Sequence, residues 1–171
     1  MTKLLWLDLE MTGLDVQKER IIEVAGLITD FELKPISEFH SVVYQDASLL
    51  EQMDDWNQKQ HSSSGLVGLI SKAPKEEIVE ANLISWCSDH FDANEPIILA
   101  GNSIWQDRRF LEAYFIKFSQ RLHYRMLDVS SWKLHFLNKK IEFKKSDTHR
   151  AVDDIKESIE EYKFYLSHLK I

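Results

Sequence analysis

Two carboxylates close a short apolar run near the start of this chain, and that arrangement narrows the folds open to it. Lys3 to Asp8 is rich in Leu and reads as a buried strand, leading into Asp8-Leu9-Glu10. Strand side chains alternate, so Asp8 and Glu10 point to one face. Two acids at the end of a buried strand repel each other and lose hydration, and a divalent cation compensates for both through hard oxygen ligation. Acid-x-acid patterns are also common on solvated strand ends, so the pair alone assigns no chemistry.

The rest of the chain is read for what it brings to that strand. Ile21 to Phe31 and Glu38 to Tyr44 are two further apolar stretches, which can pair with the first as neighbouring strands. A helix is expected over Ala47 to Gln58, followed by a short loop at His61-Ser62-Ser63-Ser64-Gly65. A second helix runs from about Glu76 to Phe91, with Val79, Leu83, Trp86 and Cys87 on one face. Ile97 to Ala100 reads as a buried strand ended by Gly101-Asn102. The helix after it, roughly Asp107 to Phe118, buries Phe110, Leu111, Tyr114, Phe115 and Phe118. A short strand near Arg125 to Leu127 precedes a helix around Ser130 to Leu137. The last helix carries Ile155, Ile159, Tyr162, Leu166 and Leu169 at steps of four, three, four and three, an amphipathic stripe. Three strands first, then helices alternating with strands, imply an α/β fold: a mixed sheet with helices on its faces. With 171 residues and neither a repeat nor a long linker, one domain over residues 1–171 is expected.

Two more segments carry chemistry. In Gly101 to Phe110 a buried strand runs into a glycine turn and a helix start, and ligands gather at the carboxyl ends of strands in such sheets. Asp107 then sits in the first helical turn, where the helix dipole favours an anion. In Asp147 to Ile155, His149 lies at or just before a helix start, with Asp147 or Thr148 as N-cap. Asp153 shares a face with His149 if the helix includes that histidine, whereas Asp154 reaches the same site if His149 lies on the preceding loop. Because Asp154 flanks the stripe beginning at Ile155, Asp154 is read as inward and Asp153 as outward.

Composition bounds the partners. The formal net charge of -7 argues against coating long nucleic acid, which needs many phosphates neutralised, but leaves room for a small nucleic-acid substrate beside bound cations. No apolar run reaches the ~18 residues of a membrane helix, and the N-terminus lacks a signal-peptide layout. The lone Cys87 cannot form an intramolecular disulfide, so a reducing cytoplasm is expected.

Taken together, these segments resemble the DEDD exonuclease superfamily in its histidine-containing branch, and within it the oligoribonuclease family. The resemblance rests on Asp-Leu-Glu-Met-Thr-Gly-Leu-Asp at positions 8 to 15 and on Met53-Asp54-Asp55-Trp56-Asn57. It continues through Gly101-Asn102-Ser103 with Gln106-Asp107-Arg108-Arg109-Phe110, and through His123-Tyr124-Arg125 with Leu127-Asp128-Val129-Ser130. It closes with Thr148-His149-Arg150-Ala151 and Asp153-Asp154-Ile155. Five motifs in order cover nearly the whole chain. Trp105, Met126 and Trp132 depart from the family's usual residues, and the stretch from Ile141 to Ser146 looks shortened; none of these removes a catalytic group.

The resemblance implies a ribonuclease-H-like fold and a 3′→5′ exoribonuclease that hydrolyses very short RNA to nucleoside 5′-monophosphates. It implies that Asp8, Glu10, Asp107 and Asp154 hold two divalent cations, Mg²⁺ or Mn²⁺, and that His149 is the general base. An unperturbed imidazole, titrating near pH ~6.5, suits that last role. Leu14 is implied to wedge between terminal bases, and Trp56 and Tyr124 to offer aromatic faces. Arg125, Ser103 and Ser130 are implied to receive a 5′-phosphate, with Gln106 and His61 near the substrate backbone. The expected partners are short single-stranded RNA, of two to about five nucleotides given so few phosphate contacts, and a second copy of the chain, with Tyr124 reaching the partner's site. The alternatives are a DNA-trimming exonuclease of the same superfamily and a catalytically silent binding domain. The Met53 to Asn57 and Tyr124 to Ser130 segments favour RNA, and five filled catalytic positions disfavour the silent domain.

Overall fold

The computed structural model describes residues 3–144 and 151–169. Five strands form one sheet: β1 (Leu4–Met11), β2 (Ile21–Thr29), β3 (Pro35–Val42), β4 (Ile97–Gly101) and β5 (Leu122–Asp128). Their order is β3-β2-β1-β4-β5. The first three strands pair antiparallel, and β4 and β5 add in parallel. The sheet is therefore mixed, as the order of elements implies. Its antiparallel half follows from short connections, and its parallel half needs the helical crossovers that the later sequence supplies.

Alternation along β1 sorts its side chains between two cores. Leu5, Leu7 and Leu9 face a layer made by α4 (Glu76–Ser88), α5 (Ile104–Tyr114) and α6 (Ile116–Ser119). Leu4 and Trp6 face α7 (Val129–Leu137) and α8 (Ala151–Ser167). On α8 the stripe read from the sequence is the packed face: Ile155 and Ile159 are buried and Tyr162 and Leu166 partly so, with Tyr165 also buried, while Leu169, expected on the same helix, packs on this core from beyond its end at Ser167. Each fully buried aliphatic or aromatic side chain of this kind contributes about 1.5–3 kcal/mol. β2 is buried along all nine residues, which its β-branched Ile21, Ile22, Val24, Ile28 and Thr29 suit.

Several boundaries differ from the sequence reading. β1 continues past Asp8 to Met11, one residue beyond Glu10, so the acid pair stands at the strand's end as expected. The expected helix over Ala47 to Gln58 is two helices, α1 (Ala47–Leu50) and α2 (Asp55–Ser63). The break comes at Asp54, whose carboxylate accepts from the Asn57 N–H at 2.8 Å and starts a new helix. That helix takes in His61 to Ser63, which the sequence reading gives to a loop, and α3 (Val67–Ile70) follows. The expected helix from Asp107 to Phe118 begins earlier, at Ile104, and breaks at Phe115. There Glu80 of α4 accepts from the N–H groups of Lys117 and Phe118, at 2.7 and 3.0 Å, and caps α6. β5 is longer than the Arg125 to Leu127 expected. Among the described residues, no helix is long and apolar enough to cross a membrane.

Candidate active site

The acidic face of β1 continues its α8-facing apolar side. Leu4 and Trp6 fill that side, and Asp8 and Glu10 follow at the same alternation where the α8 packing gives way. Asp154 comes from the first turn of α8, and Asp8, Glu10 and Asp154 each present a carboxylate oxygen within 4.8 Å of the others. All three are half-buried. Asp153, one residue earlier on the helix, is exposed.

Asp107 enters from the opposite helical layer. β4 accompanies β1 only from Leu4 to Trp6, and Gly101 ends it. A side chain at Gly101 would press its Cβ to 2.9 Å from the Leu7 carbonyl, so glycine permits the close approach there. Beyond this point the Leu9 N–H takes a side-chain acceptor, Asp107 Oδ1, at 3.0 Å. Asp107 is thereby fastened at the residue between the two acids of β1. Burial pushes its carboxyl up to about 7, with the Leu9 hydrogen bond opposing and the charge of Asp128 adding to the rise.

His61 is buried at the end of α2. Its Nε2 lies 3.0 Å from the Met11 carbonyl, which can only accept, so Nε2 carries the proton. Its Nδ1 is 3.9 Å from Glu10 Oε2. Burial pushes the imidazole's pKa down, which favours the neutral ring with an unprotonated Nδ1.

The remaining candidate residues surround this centre at different depths. Leu14 and Tyr124 are each 71% exposed and Trp56 65%. Gln106 Nε2 donates to the Leu14 carbonyl at 2.9 Å, tying the turn after β1 to α5. Ser103 precedes α5 in a left-handed conformation, φ 50°. Its N–H donates to Asp128 Oδ1 at 3.0 Å and to Ser130 Oγ at 2.9 Å, and the two serine hydroxyls are 3.0 Å apart. Asp128, which the sequence reading does not single out, organises this corner, since it also caps α7 by accepting from the Ser130 N–H. Tyr124 and Arg125 stand on β5, separated from β1 by β4, with the Tyr124 ring stacked on His123 and under the Arg125 guanidinium. The structure thus brings Asp8, Glu10 and Asp154 together, sets His61 beside Glu10 and Asp107 on the Leu9 amide, and keeps Trp56, Tyr124 and Arg125 outward. His149 lies outside the described residues.

The donor set fits a hard divalent cation. Three half-buried carboxylates converge from two elements with a fourth alongside, and oxygen ligands of this number and charge suit Mg²⁺-like or Mn²⁺-like ions.

Comparison with known proteins places this arrangement. The exonuclease family model RNase_T matches residues 5–162. The oligoribonuclease of Francisella tularensis subsp. holarctica (strain OSU18) is 42% identical over 170 residues, covering 97% of this chain and 95% of the relative. The oligoribonuclease of Actinobacillus pleuropneumoniae serotype 5b (strain L20) is 43% identical over 174 residues, covering 96% and 92%. Among solved structures, exonuclease I from Methylocaldum szegediense superposes with a TM-score of 0.70 over 98% of this chain at 16% identity. The zinc-bound E. coli exonuclease I complex with single-stranded DNA gives 0.72 at 14%. This chain spans 41% of the length of each, and the likeness is one of fold: a ribonuclease-H-like mixed sheet flanked by helices. With a family match over residues 5–162 and relatives above 40% identity along nearly their full lengths, the chain belongs to the oligoribonuclease family of exonucleases.

Proposed function

We propose that this chain is a metal-dependent 3′→5′ exoribonuclease that hydrolyses very short RNA to nucleoside 5′-monophosphates, as one exonuclease domain over residues 1–171. The observation that carries the reading is the convergence of Asp8, Glu10 and Asp154 within 4.8 Å, in a chain of this family.

Asp8, Glu10, Asp107 and Asp154 are assigned as ligands of two cations, Mg²⁺ or Mn²⁺. Such a pair, when bound, activates a water and offsets the charge of the phosphoryl group in flight. The chain's own residues do the rest. Asp107, fixed to the Leu9 N–H, holds α5 against β1 and keeps the ligand set from two helical layers in register. His149 is assigned as the base that takes the proton from the attacking water, leaving hydroxide to displace the ribose 3′-oxygen. The exposed Leu14 is assigned as a wedge at the terminal base, its turn held by Gln106. Trp56 and Tyr124 are assigned as stacking surfaces, worth ~1–3 kcal/mol per base whatever the sequence. Ser103, Ser130 and Arg125 are assigned to a 5′-phosphate, and His61 and Gln106 to the substrate backbone. A pocket closed at its 5′ end admits only short chains.

The active unit is proposed to be a homodimer in which Tyr124 serves the partner's site. This is supported by its exposure on the edge strand β5 and by the exposed Leu134 and Leu137 on the adjoining α7. The lone, buried Cys87 is in keeping with a cytoplasmic protein.

The experiment is hydrolysis of 5′-labelled RNAs from two to about twenty nucleotides with Mg²⁺ or Mn²⁺. Mononucleotide release from the 3′ end is expected, with turnover falling steeply beyond a few nucleotides because few phosphates are engaged. Equal turnover across the series overturns the short-substrate reading, and a preference for DNA dinucleotides over RNA overturns the choice of RNA.

A further inference from the structure

β2 carries a single charged residue, Glu23, in an otherwise uncharged run of nine. It shares the strand face of Ala25 and Leu27, which pack in the core under α8. Its Cα partner across the β1–β2 ladder is Glu10. Directly opposed residues on one face of an antiparallel pair have Cβ atoms about 4.5–5.5 Å apart, and like charges so placed destabilise the sheet. The Glu23 side chain is only 1% exposed. From the outer side His40 of β3 meets it, Nε2 lying 2.7 Å from Glu23 Oε1. A buried acid set against a second acid, and braced from behind by a histidine, is a costly arrangement for a strand that otherwise needs only apolar residues.

We propose that Glu23 is a positioning residue for the metal site: its buried charge, set across from Glu10 and braced by His40, deepens the negative potential at Asp8, Glu10 and Asp154 and raises their affinity for a divalent cation without ligating it. The inference rests on reading those three carboxylates as metal ligands. A buried charge is screened less than an exposed one, so its field acts strongly on a neighbouring ion. The same field opposes Glu10 when no cation is present. Removing the charge therefore has two effects of opposite sign: the metal binds more weakly, and the metal-free fold becomes more stable. A merely structural role for Glu23 gives a loss of stability instead.

The test compares Glu23→Gln, Glu23→Asp and Asp8→Asn with the parent chain. Mn²⁺ affinity is measured by equilibrium titration, and the thermal midpoint is taken in excess chelator. Glu23→Gln is expected to bind Mn²⁺ about tenfold more weakly, the usual scale for residues behind a ligand shell, and to melt at a higher temperature without metal. Glu23→Asp keeps the charge and is expected to stay within about threefold of the parent's Mn²⁺ affinity, by the same scale. Unchanged affinity in Glu23→Gln overturns the proposal. So does an equal loss in Glu23→Gln and Glu23→Asp accompanied by lower metal-free midpoints. If Asp8→Asn binds Mn²⁺ like the parent, the metal-site reading itself fails; if Asp8→Asn loses binding while Glu23→Gln keeps it, only the role of Glu23 falls.

Discussion

The carboxylate of Asp107 accepts the backbone N–H of Leu9 at 3.0 Å, so the acid proposed as a metal ligand also satisfies a backbone donor of β1. The two duties separate by mutation. Asp107→Asn retains an acceptor and loses the charge; Asp107→Ala also leaves a buried N–H without its partner, at about 1–3 kcal/mol. Both variants are expected to lose hydrolysis almost completely. Urea unfolding of the metal-free chains should rank Asp107→Ala clearly below the parent and Asp107→Asn close to it. Equal stability for the two variants contradicts the proposed structural duty.

Asp153 and Asp154 are adjacent, yet only Asp154 joins the cluster with Asp8 and Glu10. Asp154→Ala is expected to lower kcat by a hundredfold or more, on the scale of losing one electrostatic stabiliser of a transition state (~10²–10³). Asp153→Ala should stay within about threefold of the parent, as surface substitutions do. Steady-state kinetics on an RNA dinucleotide decides, and an inactive Asp153→Ala beside an active Asp154→Ala reverses the assignment.

Tyr124 is exposed on an edge strand and separated from the carboxylates by β4, which suits delivery to a neighbouring site. If the sites are shared, mixing Asp107→Ala chains with Tyr124→Ala chains should restore activity. The exchanged dimer then holds one site with both defects and one with neither. Verified heterodimers without recovery, or full activity from a dilute monomer, speak against sharing.

Burial pushes the Cys87 thiol from its ordinary 9.0 up to about 12. The folded chain therefore keeps a proton that the unfolded chain releases above pH 9. The thiol's contribution to stability is full below that value and is lost as pH rises toward 12. Iodoacetamide should label the native chain slowly at pH 8 and the urea-unfolded chain quickly. The fall in urea midpoint between pH 8 and pH 10 should shrink in Cys87→Ala.

The elements legible in the sequence were those with a strong period. The α8 stripe and the acid pair of β1 both follow from alternation or helical spacing, and a place beside Ile155 distinguishes Asp154 from Asp153. What escaped was set by side chains reaching across the fold. Asp54 splits one expected helix into two by capping Asn57, and Glu80 ends another by capping α6 from a distant helix. Asp128 gathers Ser103 and Ser130 through hydrogen bonds that no local pattern announces. Glu23 did leave a trace, as the lone charge in an uncharged strand, but its importance depends on strand register, which puts it across from Glu10.

The place of β1 in the middle of the sheet has a bearing on amide exchange. β2 pairs with it along its whole length, β4 as far as Trp6, and Asp107 takes the Leu9 N–H, so the backbone under Asp8 opens to solvent only when β2 or the α5 contact also comes away. Leu14 and Trp56, by contrast, sit on exposed segments outside the sheet, where opening disturbs little buried surface. Deuterium should enter the Leu14 and Trp56 segments long before it reaches Trp6 to Leu9. A chain built this way can move around its rim while the strand that carries Asp8 and Glu10 stays closed.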